Sequence, residues 1–311
     1  MSTSSAFRRG PRSGPVRSES EPPLAGLPIN FHVTSACNFS CGHCFATFQD
    51  VRDQVRPTRD QQLAVVDVIG RAGAAKLTFS GGEPLLVPWL DELLARAVSY
   101  GVITCVVTNG SRVSGTWLDR VAPILDWLTL SIDSSAPDTN QAIGRAHCDG
   151  SGIDPSTMIE VSRLAHRYGI GLRVNTVVST HNRNETLAPV VSSIAPRRWK
   201  IMQAMTVAGQ GQGDPQVWSV GVEEFWRYVD RNRTLLASEV EVVAETADMM
   251  RGSYAMVDPW GRVFDSKAGA HTYRHAIIDH GSRVLQDAFD LQLLERRHGL
   301  WDWEDTRRED S

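Results

Sequence analysis

Three cysteines, Cys37, Cys41 and Cys44, stand at C-x3-C-x2-C spacing in Cys37-Asn38-Phe39-Ser40-Cys41-Gly42-His43-Cys44-Phe45. Three thiolates so close in sequence hold three irons of a cubane [4Fe–4S] cluster and leave the fourth iron without a protein ligand. An open iron chelates a small molecule, which points to chemistry rather than electron storage. The competing use is a zinc site, with His32 or His43 as fourth ligand. Downstream, Ser80-Gly81-Gly82-Glu83-Pro84 follows the strand-like Lys76-Leu77-Thr78-Phe79. Two glycines at a strand end let backbone approach a ligand closely. Glu83 adds an acceptor for an ammonium. Alone this run is a turn; behind the cysteine run it reads as part of the same ligand site.

A second group of polar residues alternates with apolar ones in Leu172-Arg173-Val174-Asn175-Thr176 and in Arg198-Trp199-Lys200-Ile201. In a strand Arg173 and Asn175 share one face, as do Arg198 and Lys200. If that face is the inside of a barrel, the cations need an anion there. A triphosphate fits, since it takes several cations and forked arginine contacts. The alternative is that these side chains point to solvent or to acidic helix residues. Only three of the 32 basic residues are lysine, Lys76, Lys200 and Lys267. In so arginine-rich a chain a retained lysine invites a chemical reason.

The elements that must position these residues alternate strand and helix. Strands are expected at 27–34, 76–79, 102–107, 127–132, 172–178 and 199–207. Helices are expected near 59–72, 89–100, 118–125, 155–168 and 185–194. Six βα units predict an α/β fold, a partial (βα)6 barrel, with each motif at a strand's C-terminal end, where such barrels carry their sites. The expected division is a disordered tail at 1–26, a core at 27–207 and a C-terminal region at 208–311 closing over the substrate. The tail carries Arg8, Arg9, Arg12 and Arg17 but no apolar centre of a signal peptide.

The chain has 311 residues with ordinary globular composition and a net charge of −4, so nothing in it predicts nucleic-acid binding. No apolar run approaches the roughly 18 residues that span a bilayer, so no membrane contact is expected. Five cysteines do not form a disulfide framework. Cys105 reads as core and Cys148 as a loop thiol. A cluster of this type needs a reducing setting, which points to the cytoplasm.

The cysteine run and GGEP together resemble the signature of the radical S-adenosylmethionine (SAM) superfamily. There the open iron binds the SAM amino and carboxylate groups, and one electron cleaves SAM to methionine and a 5′-deoxyadenosyl radical. From about Pro28 onward the chain resembles the viperin family of antiviral radical SAM nucleotide dehydratases, in particular its prokaryotic members. The resemblance rests on CNFSCGHC (37–44), KLTFSGGEP (76–84), TNGS (108–111), SIDS (131–134), IGR (143–145), VNTVV (174–178), RWK (198–200), GVEEF (221–225) and SYAMVD (253–258). It implies abstraction of the 4′ hydrogen of a ribonucleoside triphosphate. Loss of the 3′ hydroxyl as water, with one electron and one proton, then gives a 3′-deoxy-3′,4′-didehydro chain terminator. CTP is the favoured base, with GTP or UTP as further choices.

The resemblance also implies site roles. Cys37, Cys41 and Cys44 ligate the cluster. Phe45 lies near the adenine. Gly81, Gly82 and Glu83 hold the SAM amino group, Ser131 and Arg145 contact SAM, and Asn109 touches its ribose. Lys76, Arg173, Asn175, Arg198 and Lys200 hold the triphosphate. Tyr254 closes over the substrate as a catalytic candidate. A small reductant such as ferredoxin or flavodoxin, and a monomeric state, belong to the same expectation. The family pattern has lysine at the position of Arg173, which keeps charge but not geometry. Val33-Thr34-Ser35-Ala36 differs from the animal proteins, which leaves the base open, and the region of Lys267 is poorly matched. Competing readings are a radical SAM enzyme acting on a peptide or other small molecule, a glycyl-radical activase, and a non-catalytic protein retaining the fold. Enzymes with auxiliary C-terminal clusters need further cysteines, and none follows Cys148.

Overall fold

A computed structural model describes residues 26–146, 150, 153–236 and 239–288. The expectations for the N-terminal tail before residue 26, for Cys148 and for 289–311 lie outside the described residues. Seven parallel strands run side by side in chain order: β1 (Pro28–Thr34), β2 (Lys76–Gly81), β3 (Ile103–Thr108), β4 (Trp127–Ser131), β5 (Gly171–Val178), β6 (Arg198–Gln203) and β7 (Glu241–Glu245). Helices α1 (Arg59–Arg71), α2 (Leu90–Ser99), α3 (Gly115–Val121), α4 (Pro137–Ile143), α5 (Pro155–Arg167), α6 (Ala188–Ile194) and α7 (Val222–Leu235) fill the crossovers. After β7 come α8 (Ala247–Met250), β8 (Ala255–Val257), β9 (Arg262–Asp265), β10 (Thr272–Ala276), α9 (Ile277–His280) and α10 (Arg283–Ala288). β8 lies parallel against β1, and β9 and β10 follow antiparallel, so the sheet begins with β10 and ends with β7.

Strand alternation builds the core. Along β5, Leu172, Val174, Thr176 and Val178 are buried, whereas Arg173, Asn175 and Val177 line an interior cavity. Ile29, Phe31, Leu77, Phe79, Trp199 and Ile201 are likewise fully buried beneath the helices. Helix starts carry local instructions. Thr58 and Gln61 form a reciprocal capping box at α1. Asp154 accepts from the Ser156 amide at α5, where Pro155 occupies the first turn.

The six expected strands are present, and the fold is the open α/β barrel anticipated. Details differ. The helix expected at 118–125 starts at Gly115, because the Ser114 hydroxyl accepts from the Trp117 amide and fixes the start. The strand expected at 199–207 stops at Gln203, whose side chain leaves the ladder to bond Val220 and Ala247. Residues past 207 join both sheet edges, β7 beside β6 and β8 beside β1.

Candidate active site

Inside the barrel lies a cavity of about 360 Å3. Fifteen of the sixteen residues singled out from sequence line it: Cys37, Cys41, Cys44, Phe45, Lys76, Gly81, Gly82, Asn109, Ser131, Arg145, Arg173, Asn175, Arg198, Lys200 and Tyr254. Glu83 does not. It is fully buried behind the wall, where its carboxylate accepts from the Thr108 hydroxyl (2.7 Å) and from the Asn109 and Leu85 amides (2.8 and 3.1 Å). Burial pushes its carboxyl up, and those donors oppose the shift. Glu83 thus fastens the end of β3, and with it Asn109.

The rim comes from strand ends. The cysteine loop leaves β1 and is pinned to the end of α4: Ser40 and Gly42 amides donate to the Gly144 and Ile143 carbonyls at 3.0 and 2.9 Å. Gly82 and Glu83 amides donate to the Thr34 and Ala36 carbonyls at 2.6 and 2.8 Å, so GGEP is stitched to the segment that precedes Cys37. Gly81 has φ +126°, and a Cβ on Gly82 would lie 2.0 Å from the Ala36 carbonyl oxygen. Both glycines are required by close backbone approach.

Arg145 is buried, with its Nε 3.2 Å from Asp133 Oδ2; His43 Nε2 lies 3.4 Å from the same oxygen. Burial acts to raise the Asp133 carboxyl, but Arg145 and His43 override it and bring it down to about 2. His32 sits among Phe45, Phe48 and Phe264 at centroid distances of 5.9, 5.4 and 5.2 Å. Burial, then His271, depress it to about 3, so it is neutral.

The three thiols fit the cluster expected of them. Phe39 N–H donates to Cys37 Sγ at 3.4 Å, and Arg145 and the Ala46 amide serve Cys41 and Cys44. Burial pushes Cys41 up to about 12 and Cys44 to about 11, so the protein alone keeps them as thiols. A bound cation is what makes such thiols ligating thiolates. Among the described residues no three His, Cys, Asp or Glu side chains are arranged to hold a single metal ion. A cubane needs no such convergence, since its thiolates serve separate irons.

Deeper, toward the strand starts, lie the cations. Arg173 pairs in register with Arg198, and Asn175 with Lys200. Lys76, the first residue of β2, is brought down from 10.5 to about 7 by burial, with Arg173, Arg198 and Lys200 adding to the shift and Cys105 opposing it. Burial, with Arg198, also brings Arg173 down to about 10. The Arg173 Cζ lies over the Trp127 ring, 4.1 Å from its centroid. Arg198 forks onto Glu241 at 2.8 and 3.0 Å, and Lys200 Nζ lies 2.8 Å from Glu245. Lys76, Arg173, Arg198 and Lys200 all line the interior cavity. Cys105, expected in the core, is buried but on the inward face, 3.4 Å from Thr129 Oγ1.

Sequence reasoning missed Trp127, Asp133, Glu241 and Glu245. Glu241 and Glu245 are four apart on one strand, so they share a face, and that spacing is the signal that was available.

Residues 31–191 match the Radical SAM superfamily. The fold is shared with SuiB of Streptococcus suis bound to S-adenosylmethionine, with a TM-score of 0.64 at 15% identity over 88% of this chain and 67% of that one. It is also shared with native anSMEcpe with bound AdoMet, with a TM-score of 0.63 at 14% identity over 87% and 82%. Two relatives named S-adenosylmethionine-dependent nucleotide dehydratase are each 36% identical. The one from Lacinutrix mariniflava is matched over 91% of this chain and 60% of its own length, and the one from Flammeovirga pacifica over 88% and 95%. The chain belongs to the radical SAM superfamily of enzymes, and within it to the family of S-adenosylmethionine-dependent nucleotide dehydratases.

Proposed function

We propose that this chain takes a ribonucleoside triphosphate, CTP foremost and GTP or UTP besides, to its 3′-deoxy-3′,4′-didehydro analogue, a chain terminator in antiviral defence. The observation that carries the reading is four inward cations, Lys76, Arg173, Arg198 and Lys200, deep in a cavity whose rim bears three cysteines. Four basic side chains set against the two carboxylates of Glu241 and Glu245 give that end of the space a lining that suits a polyanion.

When bound, the cluster supplies the electron that cleaves SAM and so yields the 5′-deoxyadenosyl radical. Cys37, Cys41 and Cys44 would hold it. Gly81, Gly82, Asn109, Ser131 and Arg145, with Phe45 beside the adenine, would hold SAM; Glu83 serves them from behind by fixing Asn109. Lys76, Arg173, Asn175, Arg198 and Lys200 would hold the triphosphate, which leaves the ribose between cation layer and rim. Tyr254, with the residues past 207, closes the space against water. A ferredoxin or flavodoxin serves as electron donor to a cytoplasmic monomer.

The test uses each NTP deuterated at C4′, with the reconstituted protein, SAM and dithionite under anaerobic conditions. Deuterium should appear in 5′-deoxyadenosine. The nucleotide product should have the mass of unlabelled substrate less one water. Unlabelled 5′-deoxyadenosine with all four nucleotides, from protein with an intact cluster, would move a peptide or other small-molecule substrate to the front.

A further inference from the structure

The sheet ends at β7 on one side and at β10 on the other, and no ladder joins those edges among the described residues. Near this seam, three side chains from three elements meet. Glu245 is the last residue of β7, Tyr254 immediately precedes β8, and Lys200 lies on β6. The Tyr254 hydroxyl donates to Glu245 Oε2, Lys200 Nζ donates to the Tyr254 hydroxyl, and Lys200 Nζ lies 2.8 Å from Glu245 Oε2. The Glu245 side chain is 2% exposed, and the Lys200 ammonium also lies 4.6 Å from the Tyr254 ring centroid. By register Glu245 faces Met202, so it reaches diagonally to Lys200. The backbone co-operates. Thr246 caps α8, and Gly252, at φ +67° where an added Cβ would meet the Lys267 side chain at 2.4 Å, turns the chain back so that Tyr254 returns to the cavity.

A carboxylate this buried is costly unless its bonds are met. Nothing in a barrel's packing requires one at this place. We propose that Glu245 is a positioning residue, a clasp between the edge strand β7 and the segment entering β8 that holds the Lys200 ammonium and the Tyr254 phenol as one unit facing the nucleotide. The inference rests on the triphosphate reading for Lys200. The clasp links β6 and β7 to the segment that enters β8, whose ladders run to β1 and β9, so side chains add rigidity across this junction.

The test compares full-length Glu245→Leu, Glu245→Gln, Lys200→Met and the Leu/Met double variant, all with reconstituted clusters. Lys200→Met should weaken NTP binding by about 10- to 150-fold, the range for one charge-assisted contact. Glu245→Leu should fall in the same range, and Glu245→Gln, whose amide oxygen still accepts, should recover most of the loss. The double variant should be no worse than about threefold below the poorer single, because both changes break one unit. Iron content and SAM affinity should stay at wild-type levels throughout. A full multiplicative loss in the double variant, or a Glu245→Leu protein that binds NTP normally while Lys200→Met does not, would overturn the clasp. A second readout needs no nucleotide: amide exchange across Gly252–Val257 should quicken by roughly tenfold or more in Glu245→Leu. Unchanged exchange there refutes the clasp. Quickened exchange together with NTP affinity unaltered in Lys200→Met would instead leave the clasp standing and remove the triphosphate from this strand.

Discussion

Lys76 offers the sharpest quantitative test of the deep cation layer. It is 4% exposed, and burial, with Arg173, Arg198 and Lys200 beside it, brings its ammonium from 10.5 to about 7. In the unfolded chain the same lysine holds its proton up to 10.5. Between about pH 7 and 10.5 the unfolded state therefore binds one proton more, and folding stability rises with pH across that window. Below about 7 both states are protonated and the cost is constant. A drop of about 3.5 pH units at 1.36 kcal/mol each amounts to at most about 5 kcal/mol. Lys76→Met keeps the length of the side chain and removes the titration. The variant should thus be more stable than wild type by as much as about 5 kcal/mol below pH 7, with the gap closing as pH approaches 10.5. Urea unfolding of both proteins, prepared without iron and compared from about pH 6 to about pH 10, measures that gap. The same variant should lose NTP affinity by about tenfold or more. In wild type at about pH 8.5, NTP binding should take up close to one proton, seen by calorimetry in two buffers of different ionisation enthalpy, and the variant should take up none. A stability gap that stays constant over the whole pH range would refute the placement of Lys76 in a buried site beside Arg173, Arg198 and Lys200.

Four further outcomes are expected. Cys41→Ala abolishes iron binding and SAM cleavage, whereas Cys105→Ala retains full iron content by metal analysis; full iron in Cys41→Ala sinks the cluster assignment. Gly82→Ala drives a Cβ into the Ala36 carbonyl and displaces the segment that leads from β1 into Cys37, so both iron content and SAM affinity fall; a variant with normal values for both shows GGEP to be only a turn. Glu83→Ala strands the Thr108 hydroxyl and two amides in the interior and should cost on the order of 3 kcal/mol of stability by urea midpoint, along with SAM affinity; a change under about 1 kcal/mol contradicts the role given to it. Arg173→Lys keeps charge but loses the guanidinium contact with the Trp127 ring, and NTP affinity should fall by roughly three- to tenfold in equilibrium binding, with equal affinity counting against a role for that contact.

The parts of this protein that could be read in its sequence are those whose instructions are local. β1 to β6 announce themselves by alternation and by the turn residues that end them. The inward cations were legible because Arg173 with Asn175, and Arg198 with Lys200, keep period two. β8 and β9 are three and four residues long and exist only by pairing with partners far along the chain, so no local pattern marks them. Glu83 shows a different limit: nothing beside it in sequence says that its carboxylate meets Thr108 and Asn109, a pairing that exists only once β3 packs beside β2. Glu245 acquires meaning only once β7 lies beside β6. The Trp127 contact likewise requires the register of β4 on β5.

A closed barrel has its girth fixed by strand number and stagger. This one ends at β7 and β10 without closing, and the chain passes from one side to the other through residues 246–254. The internal span of the chamber is therefore set by the length of a short connector rather than by hydrogen-bond arithmetic. Residues added to or removed from that connector would bear on the width of the chamber and on where Tyr254 meets Lys200, while leaving the cysteines and the glycines of GGEP in place. Chamber width is in that sense carried by a part of the chain separate from the residues of the rim.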